Sequence, residues 1–261
     1  MAEQNEIKKA INEIAETGKL LWQKGWAERN AGNISVRMEK HFYESEENNI
    51  KTHKRFYKLG NKFANLSGKI FLVTATGGRM RDIEKNPNEN ILTIKISDKG
   101  DGYCILSDTN NKILPTSELI VHLLIHQELL KNKSSEIKAI IHTHPTELIA
   151  LTHVKKYADE RNLNKLIKSI HPENTMFVKE GVGFIPFLLP GSYDIAEATV
   201  ESLQKHKLAV WEKHGCFAVG KSISSAFDII DMINKSAKIF FLCKAARIEL
   251  QGLSEKQIQK L

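Results

Sequence analysis

Short apolar runs that alternate with turn residues and with helix signals are the strongest constraint on this fold. Lys69–Thr74 (KIFLVT) reads as a buried strand ending at Ala75-Thr76-Gly77-Gly78. Residues 91–97 and 103–106 flank Asp98-Lys99-Gly100-Asp101-Gly102, and residues 208–211 and 216–219 flank Glu212-Lys213-His214-Gly215. Both are hairpin signals, so antiparallel pairing is expected. Residues 34–37 and 139–144 read as further strands, and residues 175–178 and 183–188 as a paired couple.

Between these runs lie helix signatures. Ile7, Ile11, Ile14 and Leu21 recur at helical spacing, which predicts a helix over 5–27. Pro115 with Thr116 or Ser117 as N-cap opens a helix over 117–130, and Pro145 opens a short one. A helix over 161–169 is predicted, Ser192 caps one to about residue 206, and Ser222 caps a long one to about residue 250. Residues 38–67 carry no assignable pattern and read as an excursion or long loop. The expected fold class is α/β (α+β): a mixed, mainly antiparallel central sheet covered by helices on both faces. No repeat and no Pro-, Gly- or Ser-rich linker divides the 261 residues, so a single domain over 1–261 is expected.

Composition excludes several classes. With 41% hydrophobic and 26% charged residues, the chain is neither collagen-like nor wholly disordered. No apolar run approaches the roughly 18 residues of a membrane span, and the start MAEQNEIKK has no apolar core of a secretory signal. The net charge of +7 comes from scattered lysines and arginines without a nucleic-acid motif, so neither nucleic acid nor membrane is an expected partner. Cys104, Cys216 and Cys243 are odd in number and form no CxxC pair; a reducing cytoplasm is expected, with each as a small buried hydrophobe.

Ten histidines are present. His41, His53, His153, His171 and His206 have polar neighbours and read as surface residues. His122 and His126 lie four apart on a predicted helix and are a possible metal pair, although no Glu follows the first, so they are not an HExxH site. His142 and His144 close an aliphatic strand at i and i+2 and so share a face. That spacing fits a metal pair and two satisfied rim histidines equally. His214, at a turn between strands, is the candidate third imidazole, and three His ligands leave a coordination position open for substrate.

Glu118 starts a helix, where it either complements the dipole or acts as an acid/base group. Glu173 follows Pro172 in a loop. Asn30-Ala31-Gly32-Asn33 and Thr76-Gly77-Gly78 combine polar side chains with glycines, and Thr116-Ser117 lies at a helix start. All three turns suit an anion.

Taken in order, the stretches KGWAERNAGN (24–33), PTSEL (115–119), HTHPTELIALT (142–152), Gly181–Ser192 and His214-Gly215 resemble the class II aldolase/adducin superfamily from about residue 20 to the last helix. The resemblance implies one zinc ion per subunit on His142, His144 and His214, with Glu118 as acid/base and occasional ligand. It implies phosphate contacts from Asn30, Asn33, Thr76, Gly77, Thr116 and Ser117, and a second functional carboxylate, Glu173, offered across a subunit boundary. The implied assembly is a homotetramer. The implied activity is reversible cleavage of L-rhamnulose 1-phosphate to dihydroxyacetone phosphate and L-lactaldehyde through a metal-stabilised enediolate. L-Fuculose-1-phosphate aldolase and pentulose-phosphate 4-epimerase are alternatives in the same superfamily; Glu118 in place of Asp disfavours the epimerase, and the long insert before Thr76 disfavours the fuculose enzyme. An adducin-like interaction module is a further alternative, which should lack the metal histidines. The chain departs from the family pattern at Ala75-Thr76-Gly77, where Gly-Ser-Gly is frequent, and Thr76 keeps the hydroxyl.

Overall fold

The structure is a computed structural model that describes residues 2–38, 55–107, 113–132 and 135–261, with side chains from residue 6 onward. His41, His53 and most of the unassigned 38–67 segment lie outside the described residues.

In chain order the strands are β1 (Asn33–Met38), β2 (Phe56–Lys58), β3 (Ile70–Thr74), β4 (Ile91–Ile96), β5 (Gly102–Ile105), β6 (Ala139–Thr143), β7 (Gly183–Ile185), β8 (Leu208–Trp211) and β9 (Gly215–Gly220). The helices are α1 (Ala2–Gln23), α2 (Pro87–Asn90), α3 (Leu119–Lys131), α4 (Thr146–Thr152), α5 (Glu160–Ile170), α6 (Pro172–Phe177), α7 (Tyr193–Leu203), α8 (Ile223–Ala245) and α9 (Glu255–Ile258). The strands form one sheet in the order β2-β5-β4-β3-β1-β6-β9-β8-β7. Every pairing is antiparallel except that of β7 with β8. The expected mixed, mainly antiparallel sheet is therefore present.

Strand alternation sorts the core into two layers. Ile34, Ile70, Leu72, Ile141, Val210 and Ala218 face α1, α4, α5 and α8. Phe71, Val73, Ile140, Phe217 and Val219 face the other way, toward α3 and α7. Asn33 and Ser35 alternate with Ile34 on β1, and His142 is the cross-strand partner of both Asn33 and Phe217. These polar side chains therefore share the α3 face with aromatic residues.

Several local expectations change. Residues 172–177 form a helix, not a strand: Pro172 suits a first helical turn, and the buried Asn174 amide donates to the Ile167 carbonyl at 3.1 Å. Without that strand, β7 pairs parallel to β8 at the sheet edge. The α3 helix begins two residues later than expected, with Glu118 at its N-cap position and no side-chain cap; the Thr116 hydroxyl instead accepts from the Glu118 N–H at 3.3 Å. The α8 helix starts as expected with a Ser222–Ser225 capping box but ends at Ala245, followed by Arg247 at φ 57°. His171 and His206 are largely covered rather than exposed, beside Glu173 and Glu160. Among the cysteines only Cys216 is fully buried. No helix among the described residues is long and apolar enough to cross a membrane.

Candidate metal centre and active site

Two sequence-distant segments meet at the open end of β6. His142 lies near the end of β6, His144 follows its last residue, and His214 comes from the β8–β9 turn, where Lys213 adopts φ 60°. Gly215 permits this approach: a Cβ there would lie 2.5 Å from the Thr143 carbonyl oxygen and 2.8 Å from the His144 ring. The turn is anchored on α4 by the Lys213 N–H, which donates to the Thr152 hydroxyl at 2.9 Å.

One ring nitrogen from each of His142, His144 and His214 lies within 4.8 Å of the others. The Nε2 atoms of His142 and His144 are 3.3 Å apart. Their Nδ1 atoms are occupied elsewhere. His142 Nδ1–H donates to the Cys216 carbonyl at 3.0 Å, and His144 Nδ1–H to Glu28 Oε1 at 2.8 Å. Each bond leaves an Nε2 lone pair directed at the shared point, as metal-ligating histidines require. Burial holds the His142 imidazole well below its ordinary pKa, with the neighbouring His144 and His214 adding to the effect. Burial lowers His214 as well. Both rings are thus neutral, and close lone pairs with no proton between them suit a divalent cation. The residues present therefore fit a metal.

The floor of the site is aromatic. His142 stacks on Phe217 at 4.4 Å between ring centres and lies 5.2 Å from Trp211, whose Nε1–H donates to Thr199. This packing locks the ring's orientation. Glu118 Oε2 lies 3.7 Å from His142 Nε2 and accepts from Asn33 Nδ2 at 2.6 Å. The carboxylate thus stands at the edge of the imidazole cluster.

Asn30, Gly32, Asn33, Thr76, Gly77, Thr116, Ser117, Glu118 and the three histidines line one open cleft of about 160 Å³. Grooves of about 550 and 620 Å³ occur elsewhere, beside Phe177 and beside Trp26, whereas the small cleft joins the imidazole cluster to the polar turns. The structure so brings together every candidate residue except Glu173. That carboxylate lies on α6 in an ion pair with His171 at 3.0 Å and is absent from the cleft lining. His122 and His126 are not a metal pair, because Ser35 Oγ lies between their rings at 2.7 and 2.9 Å.

Sequence reasoning passed over Glu28. The segment before β1 folds over the end of β6, with the Thr143 hydroxyl and the His144 N–H both donating to the Trp26 carbonyl at 2.7 and 2.9 Å, and this brings the Glu28 carboxylate to His144. Burial is the largest single influence and would raise the Glu28 pKa, but the His144 hydrogen bond, a backbone hydrogen bond and the charges of His144 and His142 together outweigh it, and the net shift is downward. Only its position within the KGWAERNAGN stretch offered a signal.

Comparison with known proteins agrees with this geometry. The model of the class II aldolase and adducin N-terminal domain matches residues 12–241. A rhamnulose-1-phosphate aldolase from Bacteroides thetaiotaomicron is 41% identical, over 98% of this chain and 93% of that protein. The crystal structure of a sugar-phosphate aldolase from Thermotoga maritima superposes with a TM-score of 0.77 at 30% identity, over 94% of this chain and 99% of that one. An L-fuculose-1-phosphate aldolase from Thermus thermophilus shares the fold, with a TM-score of 0.58 at 17% identity over 94% of this chain and all of that one. By sequence match along most of its length, the chain belongs to the class II aldolase and adducin family.

Proposed function

We propose that this chain is a zinc-dependent aldehyde-lyase that reversibly cleaves L-rhamnulose 1-phosphate to dihydroxyacetone phosphate and L-lactaldehyde. The observation that carries the reading is the convergence of three imidazole nitrogens beside the Glu118 carboxylate, in a cleft whose other wall is built of polar turns. The substrate is supported by the 41% identity to a rhamnulose-1-phosphate aldolase over nearly the whole chain. The more distant fuculose-phosphate relative supports the fold alone.

His142, His144 and His214 are the residues that would hold the cation, and an all-imidazole set suits zinc. When bound, such an ion supplies Lewis acidity for the ketone and its neighbouring hydroxyl. The remaining work falls to the chain. Glu118 moves the proton: it takes one from the hydroxymethyl carbon of dihydroxyacetone phosphate in synthesis and returns it in cleavage. A positioned carboxylate of this kind supplies on the order of 10²–10⁴ in rate. Asn30, Thr76, Gly77, Thr116 and Ser117 bind the phosphate near the α3 N-terminus, whose dipole favours an anion. Asn33 belongs to the same wall, but both ends of its side-chain amide are engaged by Glu118 and His122. Phosphate binding orients the carbon–carbon bond against Glu118.

Glu173 is assigned a second proton-transfer role, toward the aldehyde, at the site of a neighbouring subunit in a homotetramer. Its position on α6, outside the lining of its own chain's cleft, agrees with service in another subunit's cleft. The working compartment of the proposal is the cytoplasm. A panel of L-rhamnulose 1-phosphate, L-fuculose 1-phosphate and a pentulose phosphate, assayed for dihydroxyacetone phosphate release with metal analysis of the same sample, tests the reading. Preferred cleavage of the first compound by zinc-loaded protein is expected. Release of no dihydroxyacetone phosphate from any of them would overturn it.

A further inference from the structure

Behind the cleft, a line of polar side chains runs inward from Glu118 through a region otherwise filled by Phe71, Phe217 and Leu123. Glu118, His122 and His126 are spaced i, i+4 and i+8, so they share one face at the start of α3. Asn33 and Ser35 are spaced i and i+2 on β1, so they share the facing side of the strand. The two rows interdigitate. Asn33 Nδ2 lies 2.6 Å from Glu118 Oε2, and Asn33 Oδ1 lies 2.5 Å from His122 Nε2. Ser35 Oγ lies 2.7 Å from His122 Nδ1 and 2.9 Å from His126 Nε2. His122, His126, Asn33 and Ser35 are all buried.

Donor and acceptor chemistry gives the line a single direction. A carboxylate only accepts, so the Asn33 amide nitrogen must face Glu118 and its oxygen must face His122. His122 Nε2 must then carry a hydrogen to donate. Burial keeps this ring neutral, with its pKa lowered to about 3, so His122 Nδ1 is an acceptor. The Ser35 hydroxyl must therefore donate to His122 Nδ1, and its lone pair accepts from His126 Nε2–H. His126 Nδ1 is left as the inner end, with no hydrogen-bond partner among the described residues.

We propose that Asn33, His122, Ser35 and His126 form a buried hydrogen-bond relay that positions the Glu118 carboxylate: Glu118 fixes which end of the Asn33 amide it meets, that amide fixes the His122 tautomer, and the Ser35 hydroxyl holds the His122 ring by donating to its Nδ1. The proposal rests on the acid/base reading of Glu118. Ser35 and His122 are positioning residues: neither lines the cleft. Were the Ser35 hydroxyl absent, His122 Nδ1 would be a buried acceptor with no donor. The ring would shift to relieve it, and the Asn33 amide that accepts from its Nε2–H would move with it. Glu118, held by that amide, would lose its alignment with the cleft. The cavity left by so small a hydroxyl does not itself disturb the imidazole cluster.

The test is Ser35→Ala in the zinc-loaded protein, with Ser35→Thr as the conservative variant that keeps the hydroxyl. The expected result for Ser35→Ala is unchanged zinc content and a kcat lower by about 10- to 100-fold, with KM for L-rhamnulose 1-phosphate within about threefold, and Ser35→Thr recovering most of the kcat. Nitrogen-15 spectra of histidine-labelled protein supply a second readout that needs no substrate. The relay requires the Nε2–H tautomer of His122 with a hydrogen-bonded Nδ1 in the parent protein, and a His122 Nδ1 resonance displaced toward that of an unbonded acceptor in Ser35→Ala. A parent-like kcat per zinc in Ser35→Ala, or unchanged His122 ring-nitrogen resonances, would overturn the proposal. If the parent protein cleaved no ketose phosphate, the reading of function would fail, while the tautomer spectra would still decide whether the relay exists.

Discussion

Two groups of histidines lie on the same face of the sheet, and their surroundings make them opposites. His142, His144 and His214 turn their nitrogens toward one another at the mouth of a cleft, and the Nδ1 hydrogens of the first two are tied back to the Cys216 carbonyl and to Glu28. His122 and His126 lie deeper; both nitrogens of His122 and the Nε2 of His126 are spent on Ser35 and Asn33. Burial depresses the pKa of His142 and of both inner rings. Neutrality is therefore not what distinguishes a ligand from a structural imidazole. The difference is where the lone pairs point: toward one another in one group, and inward in the other, where the Ser35 hydroxyl answers that of His122.

The largest expected effect that would break this contrast is at the outer group. His144→Ala should abolish stoichiometric zinc and lower turnover by at least about 10³-fold, since the Lewis acid is lost with the ligand. Zinc retained at one ion per subunit would remove His144 from the ligand set. Next, Glu118→Gln should keep its zinc and lose about 10²–10⁴ in kcat. Turnover at the parent level would show that the proton moves by another route. Glu28→Ala removes the acceptor of the His144 Nδ1 hydrogen, and zinc affinity measured by competition with a chelator should weaken about 10- to 100-fold. An unchanged affinity would mean that the 2.8 Å bond does not orient the ring.

The smallest effect concerns the inner group and is read as stability. His122 titrates at about 3 in the folded protein, against about 6.5 in an unfolded chain, and His126 is shifted in the same direction by burial and then by His122 and Arg37. As pH falls through about 6.5 the unfolded state takes up protons that the folded state refuses. The stability these groups allow is complete above that value and is lost progressively toward pH 3. For His122 the loss at pH 5 is on the order of 2 kcal/mol. Urea midpoints of zinc-free protein at pH 7.5 and pH 5 check this, and His126→Phe should flatten the dependence. A slope identical to that of the parent would show that His126 is not held neutral.

Much of the site was legible along the chain for a simple reason. The i, i+2 spacing of His142 and His144 on an aliphatic strand forces both rings to one side, and Pro115, Thr116 and Ser117 mark a helix start wherever they are folded. The inner relay carried an equally regular signal, Glu118, His122 and His126 at i, i+4 and i+8. It pointed to a shared helix face without saying what that face meets. The strand expected at residues 175–178 failed because Pro172 and the buried Asn174 favour a helical turn that apolar spacing does not register.

Local chemistry alone thus determined the elements, the sharing of faces and the candidate ligands, since each depends only on periodicity and on bonds a few residues long. Tertiary structure decided which imidazoles converge, that Glu28 accepts a hydrogen bond from one of them, and that Asn33 meets Glu118. Those outcomes depend on strands and turns far apart in the chain being brought within hydrogen-bonding distance, and the sheet order β3-β1-β6-β9 does that where no local pattern can.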